Sequence, residues 1–210
     1  REVFFMNELN VLLLFGSLVI LAVLFAFCLI FPKKKLGAVR FTVRLCYIAV
    51  LSALAVVFNA LTIPLSGSNF LSFVPLIGFI AGVLCGPIGG FAVGFIGDLI
   101  CGILFPLGAY NPVIGIASGM LGFIPGFLFA YCKGNIYLKT VISFVLCFFI
   151  VTAGLNTFAL YLIYGYGKKT FWAYLAVRVP FQLIGVAANL AVSLLLVRFL
   201  SRWSAERMHA

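Results

Sequence analysis

The chain has 210 residues, of which 65% are hydrophobic and only 9% are charged. An ordinary soluble domain carries about 25% charged residues, so these few charges do not supply a water-soluble surface. The composition excludes a soluble globular protein and indicates an all-α integral membrane protein.

Uncharged runs predict seven transmembrane helices, since a hydrocarbon core of ~30 Å requires roughly 20 apolar residues in a helix. In chain order they span residues 10–31, 41–63, 70–85, 88–105, 113–131, 140–164 and 171–200. Gly86-Pro87 predicts a tight turn between the third and fourth helices. The first helix is long and is followed, rather than preceded, by basic residues, which argues against a cleaved signal peptide.

The net charge of +10 follows membrane topology. Basic residues concentrate in loops and ends that alternate along the chain, as the positive-inside rule requires of cytoplasmic segments. This pattern places the C-terminus in the cytoplasm. No basic face with interleaved polar side chains is present, so the charge does not indicate nucleic-acid binding.

Small residues recur at four-residue spacing from Gly78 to Gly94 and again at Gly115/Gly119 and Gly122/Gly126. Such rows let helix backbones approach closely in lipid, so they predict a tight bundle of the third to fifth helices. The six cysteines show no CxxC spacing, and the one histidine, His209, lies next to the last residue. The sequence therefore predicts neither a metal site nor a cofactor.

Two charged residues, Asp98 and Arg178, lie more than one turn inside predicted helices, both about seven residues from an outer helix end. A charge at bilayer depth costs at least ~2.5 kcal/mol on insertion scales and normally marks a functional site. Two interpretations are open. The residues either form a buried ion pair that locks two helices, or they line a polar cavity that opens to the outside.

Further polar and aromatic residues gather in the same outer half of the predicted bundle. The candidate ligand-binding residues are Asp98, Arg178, Asn156, Tyr110, Asn59, Gln182, Asn111 and Phe105. For several neighbouring aromatics, Trp172 among them, an interfacial belt is the simpler explanation. No continuous polar row crosses the membrane, and enzyme motifs such as HExxH, GxSxG or a P-loop are missing. The pattern favours capture of a small polar molecule by a protein that does not itself hydrolyse ATP.

Three stretches resemble a known family. Ser72–Pro75, Ala81–Gly90 and Gly94–Ile100 are similar to the core of substrate-binding S components of energy-coupling factor (ECF) vitamin transporters. Segments of the second half resemble the folate-specific branch: Phe105–Tyr110, Leu155–Thr157, Leu162–Gly165, Phe171-Trp172 and Arg178. The resemblance covers residues 41 to about 202.

The resemblance implies a six-helix bundle, a high-affinity ligand site near the outer surface, and docking onto a membrane coupling subunit of the EcfT type that binds two ATP-binding cassette ATPases. The family docks through an A-x-x-x-A motif, which Ala49 and Ala53 match. It also implies a bacterial plasma membrane location. Residues 41–202 would form the substrate-binding domain. Residues 1–40 would be an appended helix with a basic linker, and 203–210 a cytoplasmic tail.

The sequence departs from the folate branch at two positions, because Phe181 stands where a lysine commonly precedes the glutamine, and Asn111 replaces an aromatic residue. An S component for riboflavin or a similar heterocycle is therefore an alternative. Two further alternatives are a stand-alone secondary carrier and a structural membrane protein in which Asp98 and Arg178 only pair with each other.

Overall fold

The computed structural model describes residues 41–66, 69–105, 111–161 and 170–208; the predicted first helix, 10–31, lies outside them. The described part is helical apart from one short two-stranded hairpin. Its elements are α1 (Phe41–Ala60), β1 (Ile63–Ser66), β2 (Asn69–Leu71), α2 (Val74–Leu104), α3 (Pro112–Tyr131), α4 (Ile136–Leu146), a π-helical segment (Cys147–Asn156), α5 (Thr157–Leu160) and α6 (Phe171–Met208).

Five described helices are long and apolar enough to cross a membrane. They are Thr42–Ala60, Val74–Leu104, Pro112–Tyr131, Ile136–Leu160 and Phe171–Arg198, the fourth combining α4, the π-helical segment and α5. This confirms the prediction of a helical membrane protein. The last helix continues to Met208, so most of the predicted tail is helical in the structure.

The 31-residue element α2 reverses direction at Gly86, as the Gly86-Pro87 pair predicted. Gly86 has φ 77° and ψ −175°, a backbone conformation open essentially to glycine alone. The Cα of Gly82 lies only 2.8 Å from where a Cβ on Gly90 would stand, whereas eight residues of continuous helix rise about 12 Å. α2 therefore consists of two antiparallel arms, Val74–Cys85 and Pro87–Leu104.

Glycines bring α3 into backbone contact with both arms of α2. A Cβ on Gly82 would lie 2.7 Å from the backbone nitrogen of Gly126, and one on Gly122 would lie 2.9 Å from the Cα of Gly90. Real Cβ atoms do not approach backbone that closely, so only glycine fits at these crossings. The structure thus confirms that the four-residue glycine spacing marks a tight bundle.

α1 packs against both arms of α2. Leu51 and Ala55 join Ile77, Ala81 and Val93 in one buried cluster. Near the reversal, the guanidinium of Arg44 donates to the carbonyl oxygen of Cys85, the last residue of the first arm. A carbonyl at a helix C-terminus lacks an intrahelical donor, so this contact satisfies it and ties α1 to the turn. We call this end of the bundle the turn end.

The opposite end carries the β-hairpin, which lies where the predicted helices 41–63 and 70–85 adjoin; the structure has strands at Ile63–Ser66 and Asn69–Leu71 instead of helix ends. β1 and β2 pair antiparallel, with Ile63 opposite Leu71 and an irregularity between Pro64 and Ser66. Asn189 of α6 holds the link that follows: its Nδ2 donates to the carbonyl of Ser72 at 3.0 Å. We call this the hairpin end.

The close packing generates a stability prediction. Gly122→Ala places a methyl group against the backbone of Gly90, so the helices must separate, and overpacking of this kind costs about 1–3 kcal/mol. We expect a lower unfolding temperature in detergent, measured by scanning fluorimetry or circular dichroism. Gly185→Ala is the matched control, because its new Cβ meets only the Leu71 side chain at an ordinary 3.4 Å. Equal effects of the two substitutions would contradict the backbone-contact account.

Candidate functional site

Asp98 lies on the second arm of α2, where three helices meet. Its Oδ1 accepts one hydrogen bond from Asn59 Nδ2 of α1 at 3.2 Å and a second from Ser118 Oγ of α3 at 3.1 Å. Both donors are neutral. The carboxyl group is therefore held in place by neutral partners and not by an ion pair, and its side chain is half-buried.

The glycines on either side of Asp98 allow this meeting. A Cβ on Gly97 would lie 2.7 Å from the Cβ of Ala55 in α1, and one on Gly94 would lie 3.0 Å from the Cα of Gly119 in α3. Both neighbouring helices can thus come close enough for short Asn and Ser side chains to reach the carboxylate. The same packing that closes the bundle builds this part of the site.

Arg178 lies on α6 and is buried, with 4% of its surface exposed. Its Nη1 donates to the hydroxyl oxygen of Tyr174 at 3.3 Å, and its Cζ is 5.5 Å from the centroid of the Tyr174 ring. A guanidinium carries only donors, so the oxygen of the Gln182 amide must face it. In that orientation Gln182 Oε1 accepts from Nη2 at 2.9 Å and from Nε at 3.2 Å.

No carboxylate neutralises Arg178 within the described residues. The chain has four acidic residues, and Asp98 is the only one between residues 9 and 205. Asp98 bonds to Asn59 and Ser118, and no ion pair between it and Arg178 is formed in the structure. Of the two interpretations of these charges, the locking ion pair is therefore not the arrangement observed.

The charged residues and the predicted amides lie at the hairpin end of the bundle. Val113 near the start of α3 packs against Ala159 of α5. Phe158 of α5 contacts the ring of Phe171 at the start of α6, with ring centroids 6.4 Å apart. Through these contacts the Asp98 group and the Arg178 group lie at the same end of the bundle, although the two charges do not touch.

Asn111 caps α3. Its Oδ1 accepts from the backbone N–H of Val113 at 2.9 Å, which satisfies one of the orphan donors of the helix start. Its Nδ2 is buried and has no hydrogen-bond partner among the described residues. A buried amide donor without a partner costs about 1–3 kcal/mol, so a ligand acceptor at this position would be favoured.

Asn156 is the last residue of the π-helical segment and is half-buried. Thr152 and Thr157 donate from their hydroxyls to carbonyl oxygens five residues earlier, at 3.4 and 2.8 Å. π-helical turns occur frequently at functional sites, because they displace one side chain from the regular helical face. The apolar run over residues 140–164 predicted an ordinary helix, so the π-helical geometry is a departure from that prediction.

The remaining candidate residues are Phe105 and Tyr110. Phe105, directly after α2, is 55% exposed, and its backbone N–H donates to the carbonyl oxygen of Cys101. Tyr110 lies outside the described residues. Trp172 is 73% exposed, as expected of an interfacial aromatic residue.

Two partners of the charged residues were missed by the sequence analysis. Ser118 stands beside Gly119 in the small-residue row of α3. A hydroxyl residue in such a closely packed row is a sequence feature from which a hydrogen bond to an intramembrane acid can be predicted. Tyr174 lies one helical turn before Arg178. It also contacts Tyr161, with ring centroids 5.9 Å apart, so the Arg178 group is continuous with an aromatic cluster at the ends of α5 and α6.

The predicted docking residues Ala49 and Ala53 lie on an exposed face of α1. Large apolar side chains on the same face, Val50, Leu54 and Val57, are also exposed. Positions three, four and seven apart share one side of a helix, so these residues form a continuous apolar stripe. The remaining side of α1 packs on α2.

Comparisons with known proteins support a single family. The profile described as "ECF transporter, substrate-specific component" matches residues 43–197. A search of curated proteins found no match. Among solved structures, the crystal structure of FolT bound with folic acid superposes with a TM-score of 0.60 at 22% sequence identity, covering 74% of this chain and 92% of that one.

At this identity the structural match shows a shared fold. The family match, which spans most of the chain and reaches every described helix, carries the assignment. The chain belongs to the family of substrate-specific components of energy-coupling factor transporters.

Proposed function

We propose that the chain is the vitamin-binding subunit of an ECF-type importer and that its ligand is folate or a related pterin. The observation that carries this proposal is the buried guanidinium of Arg178, whose described partners are a phenol and an amide. A buried charge without a counter-charge costs several kcal/mol. A ligand carboxylate would remove that cost, so the site favours an anionic ligand.

Asp98 supplies the complementary half of the recognition. Its Oδ1 takes both protein donors, and no described residue bonds to Oδ2. A pterin carries adjacent N–H donors on one edge of its ring, which a carboxylate accepts well. Folate combines such an edge with the carboxylates of its glutamate. It therefore matches an acid and a base that are held apart at one end of the bundle.

The same chemistry separates the alternatives. Riboflavin offers ring donors and acceptors but no carboxylate, so it leaves Arg178 uncompensated. A solved structure that shares this fold is that of FolT bound with folic acid, which supports the folate choice further. A stand-alone carrier would need a polar path through the bundle, and the sequence offers no continuous row of polar residues toward the turn end.

We further propose the full arrangement of the protein. Residues 41–202 form a six-pass bundle, in which the two arms of α2 count as separate passes, and residues 1–40 add one helix. The hairpin end faces outward and the turn end faces the cytoplasm of a bacterial cell, with the C-terminus inside. Arg44 at the turn end fits the positive-inside rule.

Transport would require partners, since the chain carries no nucleotide-binding motif. We propose a membrane coupling subunit of the EcfT type and two ATP-binding cassette ATPases. The apolar stripe of α1 that contains Ala49 and Ala53 is the proposed docking face. Two alanines one turn apart give a flat surface on which a partner helix can lie closely.

The central test is binding by the purified protein. Asp98→Asn keeps the shape of the side chain but replaces an acceptor by a donor and removes the charge. We expect folate affinity to fall about 30-fold or more, as for loss of one partner of a buried charged hydrogen bond. Titration calorimetry or quenching of tryptophan fluorescence in detergent measures the change. The matched acid-to-amide control is Glu206→Gln, at the end of α6. Unchanged affinity in Asp98→Asn would remove Asp98 from the site.

Arg178→Gln tests the carboxylate role. We expect affinity for folate to fall by about 100-fold, while affinity for 6-hydroxymethylpterin, which has no carboxylate, changes by less than about threefold. The comparison of the two ligands separates a lost contact from a damaged fold. A parallel loss for both ligands would contradict a direct contact between Arg178 and the glutamate.

Ala49→Leu and Ala53→Leu test the docking face. Each fills the flat surface with a larger side chain, so we expect the chain to copurify poorly with a coexpressed coupling module while retaining wild-type folate affinity. Ala187→Leu is the matched control, an exposed alanine on α6. Normal assembly of both α1 variants would place the docking surface elsewhere.

A further inference from the structure

We infer that Gln182 determines which ligands the site accepts, because it holds Arg178 as a carboxylate would without neutralising it. This inference rests on the proposed function, since it assumes that the charge of Arg178 is used by the ligand. From its position in the sequence, Gln182 is a candidate ligand-binding residue. The geometry points instead to a positioning residue that acts through Arg178.

Gln182 and Arg178 are joined by two hydrogen bonds. Gln182 Oε1 accepts from both Nη2 and Nε of Arg178, at 2.9 and 3.2 Å. A carboxylate commonly binds the Nη2/Nε edge of a guanidinium through two parallel hydrogen bonds. Here one amide oxygen takes both donors. The orientation of Arg178 is therefore fixed at two points while its full positive charge is kept.

The spacing on α6 makes this arrangement possible. Residues four apart lie on one face of a helix, so Tyr174, Arg178 and Gln182 follow one another along α6. Tyr174 holds Nη1 from one side through its hydroxyl, and Gln182 holds the opposite edge. Both partners are neutral, and the described part of the chain supplies no carboxylate in their place.

The amide nitrogen of Gln182, which glutamate replaces by an oxygen, therefore distinguishes a site that keeps the charge of Arg178 from a site that neutralises it. Glutamate has the shape of glutamine but brings a negative charge, and it would form a bidentate ion pair with Arg178 inside the bundle. Such a pair would stabilise the folded protein and cancel the charge available to a ligand. With glutamine, the unfavourable buried charge is retained until an anionic ligand arrives.

The test is Gln182→Glu, measured for folate and for 6-hydroxymethylpterin in detergent. We expect a higher unfolding temperature, a loss of folate affinity of about 30-fold or more, and a change below about threefold for the pterin without a carboxylate. Wild-type folate affinity in this variant would overturn the inference. An equal loss for both ligands, or a variant that does not fold, would also overturn it, because either result shows damage rather than charge cancellation.

A second variant separates charge from shape. Gln182→Met has a similar length but no oxygen, so Arg178 keeps its charge and loses an anchor. We expect a lower unfolding temperature and folate binding weakened by about tenfold, less than in Gln182→Glu. Stronger folate loss in the methionine variant than in the glutamate variant would contradict the neutrality argument.

The unfolding temperatures distinguish failure of this inference from failure of the proposed function. If the wild-type protein does not bind folate, the proposed function is wrong whatever residue 182 does. Even then, we expect Gln182→Glu to raise the unfolding temperature, and we expect this rise to disappear when Arg178→Gln is added. The two measurements report whether the Gln182 amide occupies the position of a carboxylate that would pair with Arg178. Absence of that rise would show that residue 182 does not control the charge of Arg178.

Discussion

The backbone contact between α3 and the two arms of α2 is the constraint on which the rest of the structure depends. Gly82 and Gly90 face Gly122 and Gly126 with no room for a Cβ between them. In lipid, helices are not driven together by the hydrophobic effect, so close packing and polar contacts must hold them. The reversal at Gly86 supplies the geometry, because it returns the second arm to the same face of α3 as the first.

The position of Asp98 follows from this contact. Asn59 and Ser118 reach the carboxylate at 3.2 and 3.1 Å because Gly94 and Gly97 allow α3 and α1 to approach. A larger residue at either glycine would move these helices outward and leave short side chains out of reach. The glycine rows therefore have two effects. They close the bundle, and they fix the position of Asp98, the proposed ligand acceptor, at its hairpin end.

The sequence was sufficient for those features that depend on local chemistry. Gly86-Pro87 predicted the reversal because few other residue pairs permit that turn, and the four-residue glycine spacing predicted which helices pack closely. The rarity of charges in apolar runs was enough to single out Asp98 and Arg178. The resemblance to S components also agrees with the family match over residues 43–197.

Features that depend on the relation between distant segments were harder to predict. The β-hairpin forms from Ile63–Ser66 and Asn69–Leu71, short pieces whose pairing is decided by their position over the bundle. Ser118 is one of several small hydroxyl residues, and only the packing of α3 on α2 identifies it as a partner of Asp98. The π-helical segment around Asn156 has no marker in the local sequence.

The surroundings of the two intramembrane charges connect the fold with the proposed function. A protein selected for stability alone would pair an acid and a base within the membrane, or replace both by apolar residues. This chain instead surrounds each charge with neutral donors and acceptors. Asn59 and Ser118 hold the acid, while Tyr174 and Gln182 hold the base. The free energy that an internal ion pair would contribute to folding would then be available to the proposed ligand, which carries both complementary groups.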